Sequence, residues 1–87
     1  TRNMAYEVRL LPGASATLRL LEAQDYDNIR NALDAIAENP LSRESTRLAE
    51  PDFYSFRVGD YRILYEVRGD TVIVPVIRIG HRNYFLQ

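Results

Sequence analysis

Two arginines flank a Gly-Asp pair in the segment YSFRVGDYRILYEV, Tyr54 to Val67, and near the end of the chain a third, Arg82, follows the only histidine, His81, in RIGHRNYF. A guanidinium is a planar fork of N–H donors that can hold phosphate or carboxylate through two hydrogen bonds at once. His81 carries the one side chain here whose unperturbed pKa, about 6.5, lies near neutrality. These residue types suit anion binding with a proton-transfer group close by. Whether they meet depends on register. Glycine at the first central position favours a two-residue type II′ hairpin turn, and a two-residue turn fixes which residues oppose one another. Across Gly59-Asp60, Val58 then faces Tyr61, Arg57 faces Arg62, Phe56 faces Ile63, Ser55 faces Leu64 and Tyr54 faces Tyr65. Opposite residues share a face of the sheet. Tyr54, Phe56, Val58, Tyr61, Ile63 and Tyr65 form the side that can build a core. Arg57, Arg62, Ser55, Leu64, Phe53 and Glu66 take the other.

Like charges placed directly opposite repel by a few tenths of a kcal/mol up to about 1 kcal/mol. One explanation is ordinary surface: the two forks splay into water, or Glu66 neutralises one of them. The other is that an anion sits between the forks and its charge offsets the repulsion.

The elements that must carry these residues are legible in outline. AYEVRLL, Ala5 to Leu11, alternates Tyr6, Val8 and Leu10 with Glu7 and Arg9, the period of a half-buried strand, and Pro12-Gly13 stops it. Ala14, Leu18 and Leu21 then recur at helical spacing. Asp25 is expected to N-cap a second helix whose apolar stripe is Tyr26, Ile29, Leu33, Ile36 and Ala37, ended by Asn39-Pro40. Leu41 to Asp52 reads as a polar connector with little regular structure. A second Gly-Asp pair, Gly69-Asp70, joins a third strand of the hairpin series and adds Val72, Val74 and Val76 to the core side. That register sets Pro75 opposite Leu64 at a hydrogen-bonded position, and proline has no N–H to give. The strand must bulge or slip there. The reading is an α+β single domain in the order β-α-α-β-β-β, two helices on one face of a mostly antiparallel four-stranded sheet. Ala5–Leu11 and the strand around Tyr54 are its candidate edges.

Eighty-seven residues allow one core, burying roughly 60–65% of the surface the unfolded chain exposes. Residues 1–3 are read as an expression remnant before a natural start at Met4, and 4–87 as the domain. No apolar run approaches the roughly 18 residues needed to cross a bilayer, and a cytoplasmic location is expected. Cysteine is absent and all eleven basic residues are arginine, so thiolate chemistry does not arise. The net charge of −1 lacks the basic excess of a typical nucleic-acid binder, but it is uneven. Met4 to Tyr54 holds five arginines against nine acids, whereas Ser55 to Gln87 holds five against three.

Strand, two helices ending in ENP, a connector, then RVGDYRILYEV and IGHR closely resemble the RelE/ParE toxin superfamily of bacterial type II toxin–antitoxin modules, the RelE branch in particular. The family pattern is Arg-x-Gly-Asp-Tyr-Arg, two apolar residues and Tyr. The resemblance implies a ribosome-dependent endoribonuclease that cuts messenger RNA without metal or cofactor, the 2′-hydroxyl attacking the adjacent phosphate. It places Arg57 at a basic position of the second strand, Arg62 as the clamp on the scissile phosphate and Arg82 as a further phosphate contact. Tyr84 would stack on a base or assist proton transfer, and His81 is a secondary candidate. Ser55 falls where the strongest ribonucleases of the branch carry a second lysine. The implied partners are a cognate antitoxin, in a toxin–antitoxin hetero-oligomer, together with the ribosome and mRNA, and no membrane. A ParE-like toxin inhibiting DNA gyrase without cutting RNA, and a degenerate member that binds antitoxin without activity, are the alternatives.

Overall fold

The computed structural model describes residues 5–79. Its elements are β1 (Glu7–Leu10), α1 (Pro12–Arg19), α2 (Ala23–Glu38), β2 (Ser45–Arg47), β3 (Phe53–Val58), β4 (Tyr61–Arg68) and β5 (Thr71–Ile79). One sheet contains all five strands in the order β1-β5-β4-β3-β2, antiparallel except that β1 runs parallel to β5. Among the described residues no helix is long and apolar enough to cross a membrane.

Each helix starts and stops for a local reason. Pro12 sits in the first turn of α1, where its missing N–H costs nothing and its fixed φ fits. Ala14 and Leu18, one turn apart, are its buried pair. In α2 the buried residues are Ile29, Ala32, Leu33 and Ile36, one stripe at helical spacing. Asn39 is extended (φ −153°, ψ 86°) ahead of Pro40, and the helix ends there. Asp25 is not the N-cap. Glu22 holds that position with extended backbone, and Asp25 lies within the first turn, where its carboxylate accepts a hydrogen bond from the Tyr61 hydroxyl at 3.1 Å. The acid therefore ties α2 to the start of β4.

The helices cover one face of the sheet. Ile63, Tyr65, Val72, Val74 and Ile77 are buried against Ala14, Leu18, Ile29, Ala32, Leu33 and Ile36, and Tyr6, Val8, Phe56 and Tyr61 pack around them. The Tyr65 ring stacks on Tyr54 with centroids 5.7 Å apart, and its hydroxyl donates to the Pro40 carbonyl at 2.6 Å. That bond pins the end of α2 to the central strand.

Three expectations about the sheet are corrected. The connector contains a strand: Ser45, Thr46 and Arg47 pair with Phe56, Ser55 and Tyr54. Three polar residues carry no readable alternation, so only the partner edge reveals them. The sheet therefore has five strands, and β2 rather than the Tyr54 strand is the second edge. Val76 also leaves the core side. From Arg68/Thr71 to Glu66/Ile73 the β4–β5 register is regular. It then shifts so that Leu64 faces Val76 and Ile63 faces Ile77. Tyr65 opposes both Val74 and Pro75, a β-bulge that relieves proline of a ladder bond it cannot make. A methyl group on Gly13 would lie 3.1 Å from the Pro75 carbonyl, so α1 comes in against the bulge at a residue without a side chain.

The two hairpin turns match expectation. Gly59 and Gly69 each have φ +58°, while the positive φ extends to neither Asp60 nor Asp70, as a type II′ turn requires.

Burial pushes the Tyr65 phenol above its ordinary value. Burial, with the Asp25 carboxylate beside it, does the same for Tyr61. Below about pH 10 both phenols are protonated in folded and unfolded chains, and their contribution is intact. Above it the unfolded chain releases these protons first, so stability falls as pH rises towards the folded-state values. Lysine and cysteine are absent, so no side-chain ammonium or thiol titration overlaps that of Tyr61 and Tyr65. The urea midpoint is expected to drop as pH rises above about 10, and to drop less in Tyr65→Phe. Equal slopes in the two proteins would remove Tyr65 as a source of the effect.

Candidate phosphate-binding face

The hairpin turn that sets Arg57 against Arg62 is present with the expected register. In a two-residue hairpin the pair next to the turn, here Val58 and Tyr61, is the hydrogen-bonded one, so Arg57 and Arg62 form a closely spaced pair with Cα atoms about 4.5 Å apart. On its other side Arg62 faces Arg78 of β5. Arg57, Arg62 and Arg78 therefore form a row across three adjacent strands, on the face opposite α1 and α2.

Arg78 is the member of the row that sequence reasoning missed. Extended unbroken from Gly69-Asp70, the β4–β5 register would set Arg78 opposite Tyr61, on the core face. The extra residue at the bulge flips every side chain after it. Ile77 turns into the core and Arg78 turns out beside Arg62. The signal was in the sequence, at Pro75, which showed that the ladder must break without showing where the strand would resume.

The row is held open by two hydrogen bonds that pull in opposite directions. Arg57 Nε donates to the Gly59 carbonyl at 3.2 Å, towards the turn. Arg62 Nη1 donates to the Ser55 hydroxyl at 3.3 Å, away from it. Ser55 is only 2% exposed. It thus serves as a buried acceptor that orients the central guanidinium, which a lysine there could not be. Arg62 is half-buried, while Arg57 and Arg78 are exposed. Each guanidinium has five N–H donors, so the forks keep most of theirs for a ligand.

The other arginines on this face behave differently. Arg9 pairs with Glu7 at 3.4 Å and Arg68 with Glu66 at 3.2 Å, each with an acid two residues away on its own strand. Glu66 therefore does not neutralise Arg62. Among the described residues no carboxylate lies within ion-pair distance of Arg57, Arg62 or Arg78. The bare face is divided along its strands: the end near Gly69-Asp70 is internally neutralised, and the end near Gly59-Asp60 carries three unpaired cations.

A cavity of about 390 Å³ opens on the opposite, helical side of the Gly59-Asp60 turn, lined by Asp25, Asn28, Asp60, Tyr61 and Ile79 among others. Two carboxylates make it unsuited to phosphate. Of the residues expected in the site, the structure brings Arg57 and Arg62 together; His81, Arg82 and Tyr84 lie outside the described residues.

The described residues make a small α+β domain with two helices on one side of a mixed sheet and a row of arginines on the other. The chain belongs to the ParE toxin family of type II toxin–antitoxin systems, parDE, whose family model matches residues 8–83. No curated protein matches it in sequence. Among solved structures, the isolated Escherichia coli RelE toxin superposes with a TM-score of 0.80 at 22% identity, over 90% of this chain and 87% of that one. The RelBE toxin–antitoxin complex of Mycobacterium tuberculosis matches with a TM-score of 0.75 at 24% identity, covering 86% of this chain and 91% of that one. A chromosomal ParDE system from P. aeruginosa matches with a TM-score of 0.71 at 10% identity, over 90% of this chain and 99% of that one. At these identities the likeness is one of fold.

Proposed function

We propose that this toxin cleaves messenger RNA on the ribosome, with Arg62 and Arg57 holding the scissile phosphate. The observation that carries the reading is the row of arginines on the face opposite α1 and α2, with no carboxylate partner among the described residues. Like-charge neighbours cost stability in the empty protein, and a phosphodiester between them offsets that cost. The reaction needs nothing beyond the RNA. The 2′-oxygen bonds to phosphorus, the bond from phosphorus to the 5′-oxygen breaks, and the proton lost from the 2′-hydroxyl is balanced by one delivered to the leaving oxygen. The products are a 2′,3′-cyclic phosphate and a 5′-hydroxyl. The arginines stabilise the charge developing on the phosphate oxygens. Arg82, Tyr84 and His81 are proposed to supply the further cation, the stacking contact and a proton-transfer group. The toxin would act in the cytoplasm, with a cognate antitoxin restraining it, as solved RelE proteins are found in complexes with RelB. The edge strands β1 and β2 are where such a partner could add main-chain hydrogen bonds.

The match to the ParE toxin family supports a second reading, in which the toxin inhibits DNA gyrase without cutting RNA. Primer extension on a reporter mRNA after induction separates the two. New 3′ ends within translated codons, with the chromosome intact, are the expected result. Intact mRNA with accumulating DNA breaks would reject the ribonuclease reading.

A further inference from the structure

We infer that the Arg57–Arg62–Arg78 row binds successive phosphates of a single-stranded RNA lying across the strands, and that Arg78 is a positioning residue for the phosphate next to the scissile one. The inference rests on the reading that the chain acts on RNA, but it concerns a residue and a stoichiometry that the reading does not require.

The argument is one of charge and spacing. A phosphodiester carries one negative charge, so a single phosphate in the row would leave two of three cations uncompensated. Neighbouring strands lie about 4.7–4.9 Å apart, which puts the outer two arginines about 10 Å from each other across β3, β4 and β5. The forks of the neighbours Arg57 and Arg62 are also held in opposite directions along the strands, which suits separate phosphates better than one. Arg57 is drawn towards the turn by Gly59, and Arg62 is aimed inwards by Ser55. A backbone crossing the strands presents one phosphate after another along the same line.

The surroundings agree. The next row on this face, Ser55, Leu64 and Val76, offers no competing acid. The carboxylates carried by the strands on this face, Glu7 and Glu66, are already held by Arg9 and Arg68 at the far end. The split confines an anionic chain to the Gly59-Asp60 end and sets its direction across the strands. The bulge at Pro75 is what puts Arg78 in the row. It therefore acts as a device of the site as well as a relief for the proline.

The test uses 2′-O-methylated oligouridylates, which cannot be cleaved through the 2′-oxygen, with purified toxin. A tetranucleotide with three internal phosphodiesters is compared with a dinucleotide containing one. For single strands, log K falls against log salt with a slope of about −0.7 per phosphate neutralised. The wild type is expected to show a slope of about −2 for the tetranucleotide and about −0.7 for the dinucleotide. Arg78→Ala should bring the tetranucleotide slope to about −1.4 and weaken its binding roughly tenfold at about 50 mM salt, leaving the dinucleotide unchanged. Arg78→Lys should restore the slope, and Arg19→Ala, on α1, should not alter it. Arg78 is exposed, so these variants are expected to fold. A tetranucleotide slope that Arg78→Ala leaves unchanged overturns the inference, even if mRNA cleavage is observed. The expected slopes without mRNA cleavage would uphold the phosphate row while rejecting the ribonuclease reading. Binding of poly-glutamate that depends on Arg78, with no binding of the oligonucleotides, would assign the row to an acidic protein segment and overturn it too.

Discussion

Arg62→Ala is expected to lower mRNA cleavage by about 10²–10³-fold, the usual cost of losing one donor aimed at developing charge, while changing stability by less than about 1 kcal/mol. The two halves of this expectation come from different parts of the same row. Arg62 is the central member, with an arginine on each side, and it alone is oriented by a buried acceptor, Ser55. No other described residue can take its place between the neighbouring cations. On the stability side, truncation removes two like-charge contacts, each worth a few tenths of a kcal/mol up to about 1 kcal/mol. It also removes the bond to Ser55, worth about 0.5–1.5 kcal/mol. The terms nearly cancel. Arg62→Lys keeps the charge and loses the fork, so it should recover only part of the activity. Growth arrest and primer extension report the first effect, and urea unfolding of the purified variants reports the second. A variant that still arrests growth and cuts mRNA would remove Arg62 from the site. Inactivity accompanied by a loss of several kcal/mol would mean that its role is structural.

Tyr65→Ala is expected to destabilise the domain by about 3–5 kcal/mol, the range for removing a large buried aromatic, against a total of about 5–15 kcal/mol for a domain. Tyr65 is fully buried at the centre of β4, stacks on Tyr54 and bonds the end of α2 through Pro40. Its loss opens a cavity between sheet and helix and cuts the tie between them. Tyr65→Phe isolates the hydroxyl. The Ser45 hydroxyl lies 3.3 Å from the Pro40 carbonyl but has its closer acceptor in the Ser42 carbonyl at 2.8 Å, so this change removes one hydrogen bond and should cost about 1 kcal/mol. For a domain of this size that corresponds to a melting shift of about 4–8 °C. Thermal unfolding of both variants checks the ordering. Equal effects of Phe and Ala would place the whole contribution of Tyr65 in its hydrogen bond. A Tyr65→Ala protein melting within a few degrees of wild type would show that the core closes over the gap.

Much of the chain was determined locally. Two Gly-Asp turns, the 3.6-residue stripe of α2 and the Asn39-Pro40 stop each act over a few residues, and each can be read where it stands. The opposition of Arg57 and Arg62 is equally local, because a two-residue turn leaves no freedom of register. What the sequence by itself did not settle depends on contacts between distant segments. Ser45 to Arg47 become a strand only because β3 offers an edge to pair with, and β1 takes its place beside β5 by a parallel crossing that no turn encodes. The position of Arg78 was decided in the same way. Pro75 required a break in the ladder, but packing of Ile77 against the helices and the closeness of Gly13 to the Pro75 carbonyl determine on which side the strand resumes. A one-residue shift exchanges the two faces of a strand, so this tertiary choice turned an arginine from the core side into the third member of the row.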